Sequence, residues 1–193
     1  MKKILLLIFI TISLNVFSQS DIQVTMHEST LNKVFQTLGT ISGTGEYEIM
    51  FVKSNYTWSL NNMRIELLKD SAIFITDATV FTGLGTYQDQ VVGKVAISYN
   101  QYNNLISVQV VDAVFQIFVE AFGKKFVIKD IQIADYLTSP FQFEGPMSMT
   151  NELAFTMPDG SVRKMIAKPS VCVVNVVPDK IEVSTQVQFL PQN

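Results

Sequence analysis

Thr25-Met26-His27-Glu28-Ser29-Thr30-Leu31-Asn32-Lys33-Val34-Phe35-Gln36-Thr37-Leu38-Gly39 is the stretch whose reading decides the fold. Leu31, Val34, Phe35 and Leu38 recur at helical spacing and draw one apolar stripe. His27, Asn32, Lys33, Gln36 and Thr37 fall off that stripe. Thr25 and Glu28 have the spacing of a capping box, in which the two side chains satisfy orphan amides of the first turn. Gly39 follows the last stripe residue, where a left-handed glycine ends many helices. The stretch predicts an amphipathic helix over about 26–38 that must lay its apolar face on another element.

Working outward, nearly everything after Gly45 reads as strand. Tyr56, Trp58 and Leu60 alternate with polar residues, and so do Ile181, Val183, Thr185, Val187 and Phe189 near the other end. Between them, residues 63–68, 72–76, 91–99 and 105–111 are rich in β-branched and aromatic side chains. Asn61-Asn62, residues 101–104, Pro158-Asp159-Gly160 and Pro178-Asp179-Lys180 have turn chemistry. Such short polar breaks imply antiparallel hairpins, because parallel strands need long crossovers. Residues 112–125 read two ways. Asp112, Gln116, Glu120 and Lys124 recur every four residues, as on a helix, yet Ala113, Phe115, Ile117, Val119 and Ala121 alternate, as on a strand. The β-branched and aromatic content favours a hairpin turning at Gly123-Lys124-Lys125 into residues 126–133. The expected architecture is mainly β (α+β), an N-terminal helix packed on a long, curved antiparallel sheet. A β-sandwich is the alternative.

The first residues carry an address. Lys2 and Lys3 precede an apolar core from Ile4 to Ile12, and Val16-Phe17-Ser18 suits a signal-peptidase cut after Ser18. The apolar run is too short to span a bilayer. No cysteine stands at the junction to take a lipid anchor. Residues 1–18 are therefore expected to be a signal peptide, and residues 19–193 a single mostly β domain that is periplasmic or secreted. The MKK start and the run that ends in Phe17-Ser18-Gln19 resemble exported proteins of Gram-negative bacteria. Losing Lys2 and Lys3 takes the basic count from 14 to 12 against 17 acidic residues, a net charge of −5. That balance disfavours nucleic acid and anionic surfaces.

Catalytic motifs are hard to assemble from these residues. The one histidine, His27, falls at the helix start, off the stripe, and no Gly-x-Ser-x-Gly elbow accompanies it. One histidine and one cysteine do not make a structural zinc site, which takes four ligands. Cys172 lies in the β-prone run Val171-Cys172-Val173-Val174 and reads as a small buried hydrophobe. Calcium loops and glycine-rich phosphate loops are missing. Asp112, Glu120 and Asp135 sit among apolar neighbours in sequence and are the carboxylates to check for burial. Asn55-Tyr56-Thr57 fits an N-glycosylation sequon, and Asp70-Ser71-Ala72 fits a short O-glycosylation pattern of some Gram-negative exported proteins. The reading is a protein that is not an enzyme and carries no cofactor or metal.

Composition points to apolar contact instead. The chain is 48% hydrophobic and only 16% charged, with 14 phenylalanines and 8 methionines, part of this in the first residues; the rings suit either an ordinary sandwich core or a concave sheet face that lines a cavity. The helix with Glu28, Leu31, Asn32 and Phe35 in a Glu-x-x-Leu-Asn-x-x-Phe spacing, followed by a long antiparallel meander, resembles the TULIP-type lipid-binding proteins. That group includes the bactericidal/permeability-increasing-like domains and small bacterial periplasmic members. The resemblance implies a helix nested in a curved sheet, with acyl chains held in the tunnel between them. Leu31, Val34, Phe35 and Leu38 would then form one wall, and Phe74, Phe115 and Ile117 the other. Burying an acyl chain contributes about 0.8 kcal/mol per methylene, so a modest tunnel gives useful affinity. The expected function is an exported carrier of a lipid or other apolar ligand. The alternative is an extracellular structural or adhesive domain that binds protein or glycan through a surface face, such as Phe141 and Phe143 in the loop from Pro140 to Pro146. An envelope protein partner is compatible with either.

Overall fold

Met26 and His27, expected in the helix, are strand residues. They belong to β1 (Ile22–His27) and pair with Ile181 and Lys180 at the far end of the chain. The computed structural model describes residues 20–49, 51–121, 123–146 and 151–192, so the expected signal peptide and Phe122 lie outside the described residues. The helix α1 runs Glu28–Leu38. Thr25 faces Glu182 in the sheet and does not cap the helix. His27 takes the cap position without a side-chain hydrogen bond, and the Glu28 amide donates to the Asp179 carbonyl at 2.8 Å. The capping box is overruled because β pairing satisfies Thr25 first and a tertiary carbonyl takes the first orphan amide. At the other end Gly39, at φ 69°, stops the helix as expected.

The strands follow as β2 (Ile41–Ile49), β3 (Val52–Leu68), β4 (Ser71–Thr82), β5 (Gly85–Asn100), β6 (Leu105–Asp112), β7 (Val114–Ala121) and β8 (Lys124–Gln132). A single 3-10 turn at Ile133–Tyr136 leads into β9 (Phe141–Glu144), β10 (Asn151–Thr156), β11 (Val162–Val177) and β12 (Lys180–Gln192). All pairings are antiparallel. The orders are β1-β12-β11-β10 in one sheet, β2-β3-β4-β5-β6-β9 in a second, and the hairpin β7-β8. Residues 114–121 and 124–125 are strand, and Gly123 between them turns at φ 71°. Among the described residues the protein is thus mainly β, with curved antiparallel sheets and one α-helix. Tyr56, Trp58 and Leu60 are buried, as their alternation requires.

Asn61-Asn62 is not a turn. Both lie inside the long strand β3, where the register against β4 skips between Asn61 and Arg64. Asn62 takes φ 53°, a conformation asparagine tolerates, and its amide donates to the Asp77 carboxylate at 2.8 Å. The buried Thr76 hydroxyl donates to the Asn61 carbonyl at 2.9 Å. The same side-chain chemistry that favours a turn here makes a bulge that bends the strand.

Beyond that bulge β3 outruns β2, whose pairing stops at Leu60. The helix covers the edge left open. The Glu28 carboxylate accepts the Leu67 amide at 2.7 Å. Asn32 accepts the Ile65 amide at 2.8 Å and donates to the Ile65 carbonyl at 3.0 Å. Leu31 and Phe35, on the neighbouring stripe, are buried in the core. Replacing Asn32 by leucine leaves the Ile65 amide and carbonyl without partners, which costs about 1–3 kcal/mol per buried group. Urea denaturation should show a clear fall in midpoint for Asn32→Leu and almost none for the exposed Lys33→Ala.

Candidate functional site

The seven residues expected to line a tunnel divide by burial. Leu31, Phe35, Phe74, Phe115 and Ile117 are core residues, each at most 4% exposed. Val34 is half-buried, and Leu38, in the last turn of α1, is 50% exposed. Phe35 packs against Phe74 with ring centres 5.7 Å apart and against Phe141 at 5.1 Å. These rings fill one another's space. Phe115 and Ile117 lie on β7, and a recess of about 50 Å³ opens between Phe115, Phe118, Val80 and Tyr87. That volume suits a water molecule rather than an acyl chain.

Chemistry-bearing groups are dispersed and wet. Asp112, Glu120 and Asp135 are exposed, contrary to the expectation of apolar surroundings, because each points away from the core side of its element. Asp112 pairs with Lys94 at 3.2 Å. Among the described residues no group of three or more histidine, cysteine, aspartate or glutamate side chains comes together as metal ligands do. His27 is exposed, and the half-buried Cys172 thiol lies 3.2 Å from the Thr185 hydroxyl. Ser71 is exposed beside Asp70, which turns the chain between β3 and β4 at φ 59°. Burial pushes the Tyr99 hydroxyl above its ordinary value, and the nearby Cys172 adds to the rise. Tyr99 donates to the Asn104 side-chain carbonyl at 2.8 Å. The stretch from Pro140 to Pro146 is not an exposed aromatic loop. Phe141 and Phe143 are half-buried on β9, packed on the core and paired with Val108 and Ile106 of β6.

A different apolar surface emerges from the four-stranded sheet. Along β12, Ile181, Val183 and Thr185 face inward and are buried. Strand alternation carries the same face on to Val187, Phe189 and Pro191. Yet Phe189 is 58% exposed. On that face Phe189 pairs with Ala167 of β11, Pro191 pairs with Met165, Met165 pairs in turn with Leu153 of β10, and Phe155 of β10 lies opposite the exposed Arg163. Phe155 is 46% exposed. The row is continuous with the core but leaves its cover.

Two local features cause the departure. The register of β11 against β12 shifts between Pro169 and Cys172, so the sheet bends there. The edge strand β1 pairs with β12 only as far as Thr185, and beyond it the Val187 amide is taken by the Asp21 carboxylate at 2.7 Å. Past this point β10, β11 and β12 project as an arm whose inner face carries Leu153, Phe155, Met165, Val187 and Phe189. The alternation from Ile181 to Phe189 was visible in the sequence. Where the covering layer stops was not, since that depends on the length of β1 and on the bulge.

Comparison with protein-family models, with curated protein sequences and with solved structures finds no match to this chain. Any functional reading therefore stands on geometry. Phe35→Ala should cost about 3–5 kcal/mol of stability, as removal of a core ring does, whereas Gln36→Ala on the exposed face should stay within about 0.5 kcal/mol. Thermal and urea unfolding of the two variants check this; equal losses would place Phe35 outside the core.

Proposed function

We propose that the chain is an exported, non-enzymatic binder or carrier of a lipid or similarly apolar ligand. The observation that carries the reading is the inward-facing row on the arm. Phe155 and Phe189 stand half exposed where their strand parity points them to the core side. Exposed apolar residues scattered singly need no explanation, but a contiguous group bordering a core marks a binding surface. Leu153, Met165 and Val187 extend the row, and methionine and phenylalanine adapt readily to a flexible guest. The reading puts the ligand face on the arm, because Leu31 and Phe35 are buried in the core.

The mechanism is passive. Each methylene transferred from water to the row gains about 0.8 kcal/mol, and no bond is made or broken. The Glu-x-x-Leu-Asn-x-x-Phe spacing that resembles TULIP-type proteins here supports the scaffold: Glu28 and Asn32 hold β3, while Leu31 and Phe35 fill the core.

The test is uptake of a fluorescent fatty-acid analogue. Phe155→Ser with Phe189→Ser should weaken binding by about tenfold or more, equivalent to about 1.4 kcal/mol. Both side chains are half exposed, so the melting temperature should hardly move. Undiminished uptake by the double variant would overturn the reading.

A further inference from the structure

The opposite end of the six-stranded sheet carries apolar residues where hairpins ordinarily have polar ones. The β2–β3 hairpin closes on the pair Ile49 and Val52, within the run Ile49-Met50-Phe51-Val52. Phe51 is 96% exposed and held at φ 70°, a conformation that favours glycine or asparagine. The next tip, between Thr82 and Gly85, exposes Leu84 and, just before it, Phe81. The register brings the two tips to one end, since Tyr56 pairs with Thr82 and Gly83 lies beside Ser54. The β7–β8 hairpin points the same way: its Glu120 amide donates to the Tyr87 hydroxyl at 3.2 Å, and Phe118 packs on the Tyr87 ring. Lys124 and Lys125 stand at that tip, with the Lys125 ammonium 3.8 Å from the Phe118 ring centre.

We infer that this end of the molecule inserts into the interface of a lipid bilayer, with Phe51 and Leu84 as the inserting side chains. The shape selects the occupant. Phe51 and Leu84 each stand past the last pair of their hairpin, with exposed Glu48, Lys53 and Thr86 behind them, and a fluid interface closes around such single side chains as a rigid protein face does not. Charge is balanced at this end: Lys53, Lys124 and Lys125 stand beside Glu46, Glu48 and Glu120, with Lys53 paired to Glu48 at 3.8 Å and Lys125 opposite Glu120 in the hairpin. Insertion is therefore driven by apolar transfer and not by anionic headgroups. The inference deepens the carrier reading and rests on it for its purpose, because a carrier of lipid loads and unloads at a bilayer.

Flotation of the full chain with phosphatidylcholine vesicles, and with vesicles also containing phosphatidylglycerol, tests it. The wild type should float with both, with little effect of salt, and Phe51→Ser with Leu84→Ser should bind about tenfold less. Phe51→Trp should shift its emission to the blue on adding vesicles; the native Trp58 is buried and serves as a constant background. Three results would each overturn the inference: no flotation of the wild type, equal flotation of the double variant, or an emission shift that follows protein concentration instead of vesicles, which would assign the tip to self-association. Fatty-acid uptake measured on the same proteins separates the two readings. Flotation without uptake removes the carrier reading alone, and uptake without flotation removes this inference alone.

Discussion

The clasp between α1 and the free edge of β3 is the constraint on which the rest of the structure depends. Strand β3 is the longest in the six-stranded sheet, and it outruns β2 beyond Leu60. Its exposed amides and carbonyls would otherwise be a template for another chain. Four residues of helix rise about 6 Å and two residues of strand about 6.6 Å. Side chains at Glu28 and Asn32 therefore meet backbone at Leu67 and Ile65 in step. With the edge held, Leu31 and Phe35 on the adjoining stripe are pressed into the core against Phe74 and Phe141. One short helix thus finishes a sheet edge and closes a hydrophobic core.

The same device recurs at the other sheet. Where β1 ends, the Asp21 carboxylate takes the Val187 amide, just as Asn32 takes that of Ile65. The outcome differs because, among the described residues, no helix covers the face. Past Pro169 the bulge turns β11 away, and Leu153, Phe155, Met165 and Phe189 leave the core still facing its side. Edge completion holds the arm's backbone, while Phe155 and Phe189 on its inner face remain half exposed. The hairpin tips with Phe51 and Leu84 are formed by residues distinct from those of the arm, so the two proposed contacts draw on different side chains.

Much of the fold was legible because it is written in local periodicity. The stripe of Leu31 and Phe35, the alternation at Tyr56, Trp58 and Leu60, and the stop at Gly39 all follow from residues near one another in sequence. The helix start was misplaced because Thr25 and Met26 answer to Glu182 and Ile181, partners with no local signal. Asn61-Asn62 was read as a turn because asparagine serves turns and bulges through the same tolerance of positive φ. The candidate site was less legible. An apolar residue that lines a ligand face and one that fills a core have the same sequence signature, and Phe35 and Phe74 are buried against each other. Phe155 and Phe189 differ from them only in what lies opposite, which depends on where β1 ends and β11 bends.

The measurement that tests the account most directly is native mass spectrometry of the protein purified from the exported fraction of its own cells, followed by organic extraction. The account predicts an added mass at fixed stoichiometry that extraction identifies as a lipid or another apolar molecule. A protein that arrives at its bare mass and takes up neither added fatty acid nor phospholipid would contradict it.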